Sequence, residues 1–284
     1  MTDLIDIFFY ASLPFSVVGI IMFIIYSFKD NRKLFAVATI SSLLSFICLT
    51  LVLAVMLAKN GVEFAMASQT RYIILAWAVM VSYFIAGYIY RIRILGSLLM
   101  PVALMLMLIA MFVPDSEMNP GDTHNIPAVL GLHMVGVLGS YALLFLSTAG
   151  AILFLVKRRA LKDHQNLAIE SKLPALGTLH KLMSNTFLLG FPMLTAGVIL
   201  GIFVIEKGVD INWLTDKKLI LGWLLWISYS VLFVLFKGAK IAEKKFAWAV
   251  IVLFVFFSGY YICTKDRLKT EVLPTAEKKQ EILK

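Results

Sequence analysis

The chain has 284 residues, 61% of them hydrophobic and 15% charged, with a formal net charge of +9 and a mean hydropathy of +0.90. Such values exclude an ordinary water-soluble domain and describe an integral membrane protein, because apolar runs near or above the ~20 residues that cross a bilayer recur along the whole length. They also leave no surface of interleaved basic and aromatic residues for a nucleic acid, so the surplus of Lys and Arg reads as a topology signal.

Helices are the expected element, since unpaired backbone groups are costly in lipid and the ten-residue alternation of a barrel is absent. The fold expected is all-α: a polytopic transmembrane helix bundle of about eight spans, at about 7–28, 34–58, 72–90, 94–113, 128–156, 183–205, 219–236 and 246–263. A single membrane domain, 1–284, then accounts for the chain, with a hydrophilic tail at 264–284. No small-residue cleavage site follows the first span, which is read as a retained helix. The first, third, fifth and seventh connections together hold 15 Lys or Arg, against 5 on the opposite side once the tail is set aside. By the positive-inside rule both termini are expected outside, in a membrane of the bacterial cytoplasmic type.

The first four spans carry few polar residues. Tyr90-Arg-Ile-Arg93 reads as a tight basic turn between antiparallel helices, with aromatic and Arg anchors at the interface. Cys48 and Cys263 lie in or beside spans and form neither a disulfide framework nor a CxxC pair. No CxxCH occurs, so the chain carries no covalent c-type haem itself. The external connection Asp115 to Pro127 holds three acids, no base and His124, which by itself reads as a solvated loop residue.

Span five opens with Gly131-Leu-His-Met-Val-Gly-Val-Leu-Gly-Ser-Tyr141. An imidazole in an apolar helix is costly and usually faces a bundle interior or a cavity. His133 would lie only ~8 Å below the external interface at 1.5 Å per residue, so two readings stand, a structural histidine that snorkels and a ligand-binding one. On helical spacing it shares a face with Gly136, Val137 and Ser140, small enough for a helix or a flat ligand to approach. The connection Lys157 to Lys181 is the most basic stretch and reads as a cytoplasmic loop, solvated or a docking surface, with His164 and His180 expected in solvent. Span six, with Gly190, Pro192, Gly197 and Gly201, reads as a kinked helix with a GxxxG seam. Trp213, Trp223 and Trp226 follow, ordinarily members of an aromatic belt.

Taken together, Leu132-His133 with Ser140-Tyr141, Leu173-Pro-Ala-Leu176, Gly190-Phe-Pro-Met-Leu-Thr-Ala-Gly197 and the stretch Trp213 to Tyr229 resemble the cytochrome c assembly family of polytopic membrane proteins, the CcsA and HemX type. The similarity covers about 72–262. The family's external W-x-W-D-P-K-E loop and following W-x-x-Y are kept at Trp213, Asp216, Lys218, Trp226 and Tyr229. Thr215, Lys217 and Leu219 depart from it, and Val234 stands where the family has a membrane histidine, a pattern that looks like the HemX-type branch.

The resemblance implies a haem-handling protein, assisting cytochrome c biogenesis or haem delivery at the external face; no nucleophile with a positioned base, Gly-rich phosphate loop or metal-ligand cluster stands in the sequence, so no enzymatic chemistry is expected. Haem b would be held non-covalently by His133 as metal ligand, with Trp213, Asp216, Trp226, Tyr229 and His124 around it. Its partners would be haem together with a membrane cytochrome-assembly partner or a cytosolic haem-synthesis enzyme. Two other roles stand beside it: a membrane accessory that regulates haem biosynthesis through the level of glutamyl-tRNA reductase, and a small-solute transporter, which mid-membrane ionisable residues and paired broken helices would mark.

Overall fold

The computed structural model describes residues 2–29, 31–61, 67–113, 127–163, 173–208, 217–238 and 241–259. Among them the fold is all-helical and without strands: α1 (Thr2–Phe28), α2 (Arg32–Asn60), α3 (Ser68–Tyr90), α4 (Leu95–Phe112), α5 (Pro127–Asp163), α6 (Leu176–Gly208), α7 (Lys217–Lys237) and α8 (243–259). The first seven are long and apolar enough to cross a membrane. Leu, Ile, Val and Phe side chains lie exposed on all of them, which is the outer surface a lipid-embedded bundle requires.

Hydropathy locates the spans but clips two of them. α5 continues seven residues past the expected end at 156, and α6 begins seven before the expected start at 183. Lys, Arg and Ala are good helix formers, so the helices run on where the apolar stripe stops. At 37 residues α5 is ~55 Å long, well beyond a ~30 Å hydrocarbon core. The basic stretch Lys157 to Lys181 is therefore not one solvated loop. Its first part belongs to α5 and its last part to α6, and 164–172, with His164, lies outside the described residues. Lys157 is itself buried, its Nζ directed at the Leu173 carbonyl 3.5 Å away. His180 is only 26% exposed; its ring packs 6.2 Å from that of Phe154, and Nδ1 lies 3.7 Å from a Glu243 carboxylate oxygen.

Two seams hold the bundle. Where α1 meets α2, buried serines take the place of large side chains: Ser16 and Ser45 hydroxyls are 2.8 Å apart, and Ser45 donates to the Ser12 carbonyl at 2.9 Å. α5 and α6 form the most extensive helix pair. Their contact is built from small residues at helical spacing, with Gly136 against the Gly197 backbone, Gly139 against the Met193 side chain, and Gly150 against the Met183 backbone. The Ser147 hydroxyl donates to the Met183 carbonyl across the same seam at 2.8 Å. In lipid, where burial of apolar surface gives no drive, such backbone approach and interhelical hydrogen bonds carry association. α3 joins the first four helices to α5, and the Asn185 amide donates to the Tyr90 hydroxyl at 3.1 Å. α8 is fixed by Phe246, stacked on Phe236 at 4.3 Å and edge-on to Phe187 at 5.1 Å, and by Phe254 beside Phe145.

Candidate functional site

α5, α6 and α7 enclose a cavity of about 310 Å³ near the start of α5, at the end of the bundle opposite the basic turns. α5 contributes Leu130, His133, Met134, Val137 and Tyr141; α6 contributes Leu194, Val198, Gly201 and Ile202; α7 contributes Leu219, Gly222, Trp223 and Leu225. The volume falls at the lower end of the range for small-molecule pockets, and the walls are mostly apolar with few polar atoms, the usual make-up of a ligand site.

His133 is the polar centre of this cavity. Its Nδ1 lies 2.7 Å from the Gly197 carbonyl oxygen. A carbonyl only accepts, so Nδ1 carries the proton and donates, and in the neutral ring the lone pair is left on Nε2. The glycines of α6 make this possible. A Cβ on Gly201 would stand 2.8 Å from His133 Cε1 and 2.9 Å from Nδ1, and one on Gly197 would meet Val137 at 2.9–3.0 Å. The Nδ1–Cε1 edge of the ring is thus pressed against Gly201 and oriented by a backbone acceptor, which fixes its tautomer.

The other site residues expected from the sequence separate. Trp226 lies one turn on from Trp223, its ring edge-on to that of Trp223 at 6.0 Å, and its indole N–H donates to the Thr195 hydroxyl at 3.1 Å. Tyr229 is 1% exposed and packs deeper, 6.2 Å from the Phe187 ring, outside the cavity lining. Trp223, read from sequence as a belt residue, is the tryptophan that lines the cavity, and Leu219 and Gly222 line it as well. Helical spacing holds the signal: Leu219, Gly222 and Trp223 share a face three and four residues apart, whereas Trp226 and Tyr229 continue along that face deeper into the bundle. His124, Trp213 and Asp216 lie outside the described residues. Val234 is 65% exposed, so the position where the family has a membrane histidine faces outward in this chain.

An apolar-surfaced bundle of antiparallel helices with an imidazole-bearing cavity between three of them defines a multi-pass membrane protein. The chain matches the family described as Cytochrome C assembly protein over residues 4–264 and belongs to it. That match takes in α1 and α2, upstream of the 72–262 region on which the resemblance rests in the sequence. The chain is similar to the cytochrome c biogenesis protein CcsA of Guillardia theta, 24% identical over 224 residues, which cover 71% of this chain and 74% of that one. It is also similar to the protein HemX of Brevibacillus brevis, 25% identical over 144 residues, 51% of this chain and 53% of its relative. No solved structure matches it.

Proposed function

We propose that this cytochrome c assembly protein handles haem, holding haem b non-covalently in the α5–α6–α7 cavity and acting by binding rather than by catalysis. The observation that carries the reading is the hydrogen bond from His133 Nδ1 to the Gly197 carbonyl, which leaves Nε2 as a free nitrogen donor beside apolar walls. A lone imidazole holds a bare metal ion poorly, but iron in a macrocycle already has four nitrogen donors and asks the protein only for an axial one. The residues present fit such a group. His133 would hold the iron, Gly222, where a Cβ would meet nothing within 4 Å, leaves room for a flat face, and Leu130, Val198 and Trp223 supply apolar walls. Haem, when bound, supplies the redox-active iron; the chain supplies orientation, an apolar surround and a route for release. The name of the Guillardia theta relative supports a role in cytochrome c biogenesis; delivery at the external face to a membrane partner is part of the same proposal.

The matching orientation is a bacterial-type cytoplasmic membrane with both termini outside. The gathering of Arg91 and Arg93, Arg158 and Arg159, and Lys244 and Lys245 toward one end of the helices supports it, with the His133 cavity at the other end. To test the haem reading, the protein is expressed with abundant haem, purified in detergent, and compared with His133→Ala by absorption spectroscopy. A Soret band in the wild type that is lost in the variant is the expected outcome; two haem-free preparations would sink the proposal.

The similarity to HemX, together with Thr215, Lys217 and Leu219 in place of the family's loop residues, favours one second reading, control of haem synthesis through a cytosolic enzyme. Deleting the gene and measuring glutamyl-tRNA reductase discriminates, an unchanged level counting against control.

A further inference from the structure

A second cavity lies at the other end of the bundle from His133. About 460 Å³ in volume, it is enclosed by Phe35 and Thr39 at the start of α2, Tyr83 and Gly87 near the end of α3, and Arg91 and Arg93 in the turn to α4. Three features of that turn need a reason. Arg91 has φ 54 and ψ 36, the one left-handed non-glycine residue among those described. A side chain there costs roughly 1–2 kcal/mol, and glycine would be the ordinary choice at the end of a helix. Gly87, conversely, sits inside α3 where glycine is unfavourable by about 1 kcal/mol, yet a Cβ there would meet nothing within 4 Å. Arginine stands where glycine is cheap, and glycine where alanine would fit.

Both choices serve the cavity. Arg91 and Arg93 are exposed on either side of the buried anchor Ile92, and Arg93 lies over the Phe35 ring, 5.6 Å from its centre. Neither guanidinium forms an ion pair with a described residue. Missing its side chain, Gly87 keeps the cavity open between the two cations and the rings of Phe35, Tyr83 and Phe84. Tyr88, 87% exposed, lines the cavity as well, so the cavity reaches the outer surface of α3. The result is a pair of forked cations at the end of α3 beside an apolar slot that reaches the lipid-facing surface at Tyr88. A guanidinium binds a phosphate through two parallel hydrogen bonds, and basic pockets between helices on the cytoplasmic side suit anionic headgroups. A free phosphate would leave the slot bare.

We propose that the α2–α3 cavity binds an anionic phospholipid, its phosphate held by Arg91 and Arg93 and the first part of an acyl chain laid along Gly87 and Phe35. The site is independent of the haem reading, since it shares no residue with the His133 cavity.

The full chain is reconstituted into nanodiscs of equal phosphatidylcholine and phosphatidylglycerol, and the lipid that stays bound after release is counted by native mass spectrometry. The wild type is expected to retain phosphatidylglycerol several-fold over phosphatidylcholine. Arg91→Gln with Arg93→Gln should bring the ratio close to that of the bulk. Gly87→Phe should remove the retained lipid with the fold intact, because its ring enters open space. Equal retention of the two lipids by the wild type, or a preference that survives loss of both arginines, overturns the proposal. Displacement of the lipid by inorganic phosphate, or by haem in a His133→Ala background, overturns it too, assigning the arginines to a free anion or to a carboxylate-bearing macrocycle.

Discussion

The two cavities stand at opposite ends of one bundle, one walled mainly by aliphatic side chains and the other mainly by aromatic rings, and they present opposite chemistry. Around His133 the polar atom is a neutral nitrogen with a lone pair, positioned by a backbone carbonyl and pressed against glycine. Below the α3–α4 turn the polar groups are two permanent cations, one of them on a strained backbone. The volumes, about 310 and 460 Å³, do not tell the ligands apart. The donor atoms do: an electron-pair donor suits a metal with an open axial position, and a forked cation suits an oxyanion. Each cavity also depends on glycine in its own way. Gly197 and Gly201 bring α6 against α5 and the imidazole, whereas Gly87 keeps a space empty.

That contrast can be broken most severely at the seam. Gly197→Leu places atoms where a Cβ alone already meets Val137 Cγ2 at 2.9 Å and backbone at 3.0–3.1 Å. Backbone cannot yield as a flexible side chain would, so a loss of about 3 kcal/mol is expected. A large fall in detergent Tm, or failure to give monodisperse protein, is the readout. Gly87→Leu, with open space to fill, should leave Tm close to wild type; equal damage at both positions would mean that the two glycines do not differ as described.

His133→Ala comes next. It should abolish the haem absorption, lower stability by only about 1 kcal/mol for the lost hydrogen bond, and leave the phosphatidylglycerol preference unchanged. Reciprocally, the double Arg→Gln variant should keep the haem spectrum of the wild type. Cross-effects of similar size in both directions would show one coupled site in place of two.

Gly201→Ala is a finer probe. The new methyl would crowd His133 Nδ1 and Cε1, which can move only by tilting away from the Gly197 carbonyl. Reduced haem occupancy with a shifted spectrum is expected, at nearly unchanged Tm. The smallest effect belongs to Trp226→Phe, which removes the indole donor to Thr195. A loss of about 0.6 kcal/mol is typical of such a bond between membrane helices, and the haem spectrum should stay as it is because the cavity wall is formed by Trp223.

Much of this was readable before any coordinates. The spans stand out because their apolar runs are long, and hydropathy clips α5 where charged residues continue the helix, and α6 where Gly177, Thr178, His180 and Lys181 precede the apolar stripe. His133 was legible as the residue to weigh, through its cost in lipid and the small residues on its face. His180 departs from the solvent position its basic neighbourhood signals, because its ring packs on Phe154 beside Glu243. Trp223 was passed over for Trp226 because a motif preserves residue identity, whereas cavity lining depends on where along the helix face each ring falls.

Hydropathy and charge are sums over neighbouring residues, so membrane residence, the number and order of the helices and the concentration of basic residues in alternate connections followed from the amino-acid order without knowledge of any contact. The tautomer of His133 could not follow in that way. It depends on a carbonyl 64 positions away, brought to 2.7 Å because glycines on two helices let their backbones touch. Which faces of a bundle meet is decided by steric fit between distant segments, and only the packed structure expresses that fit.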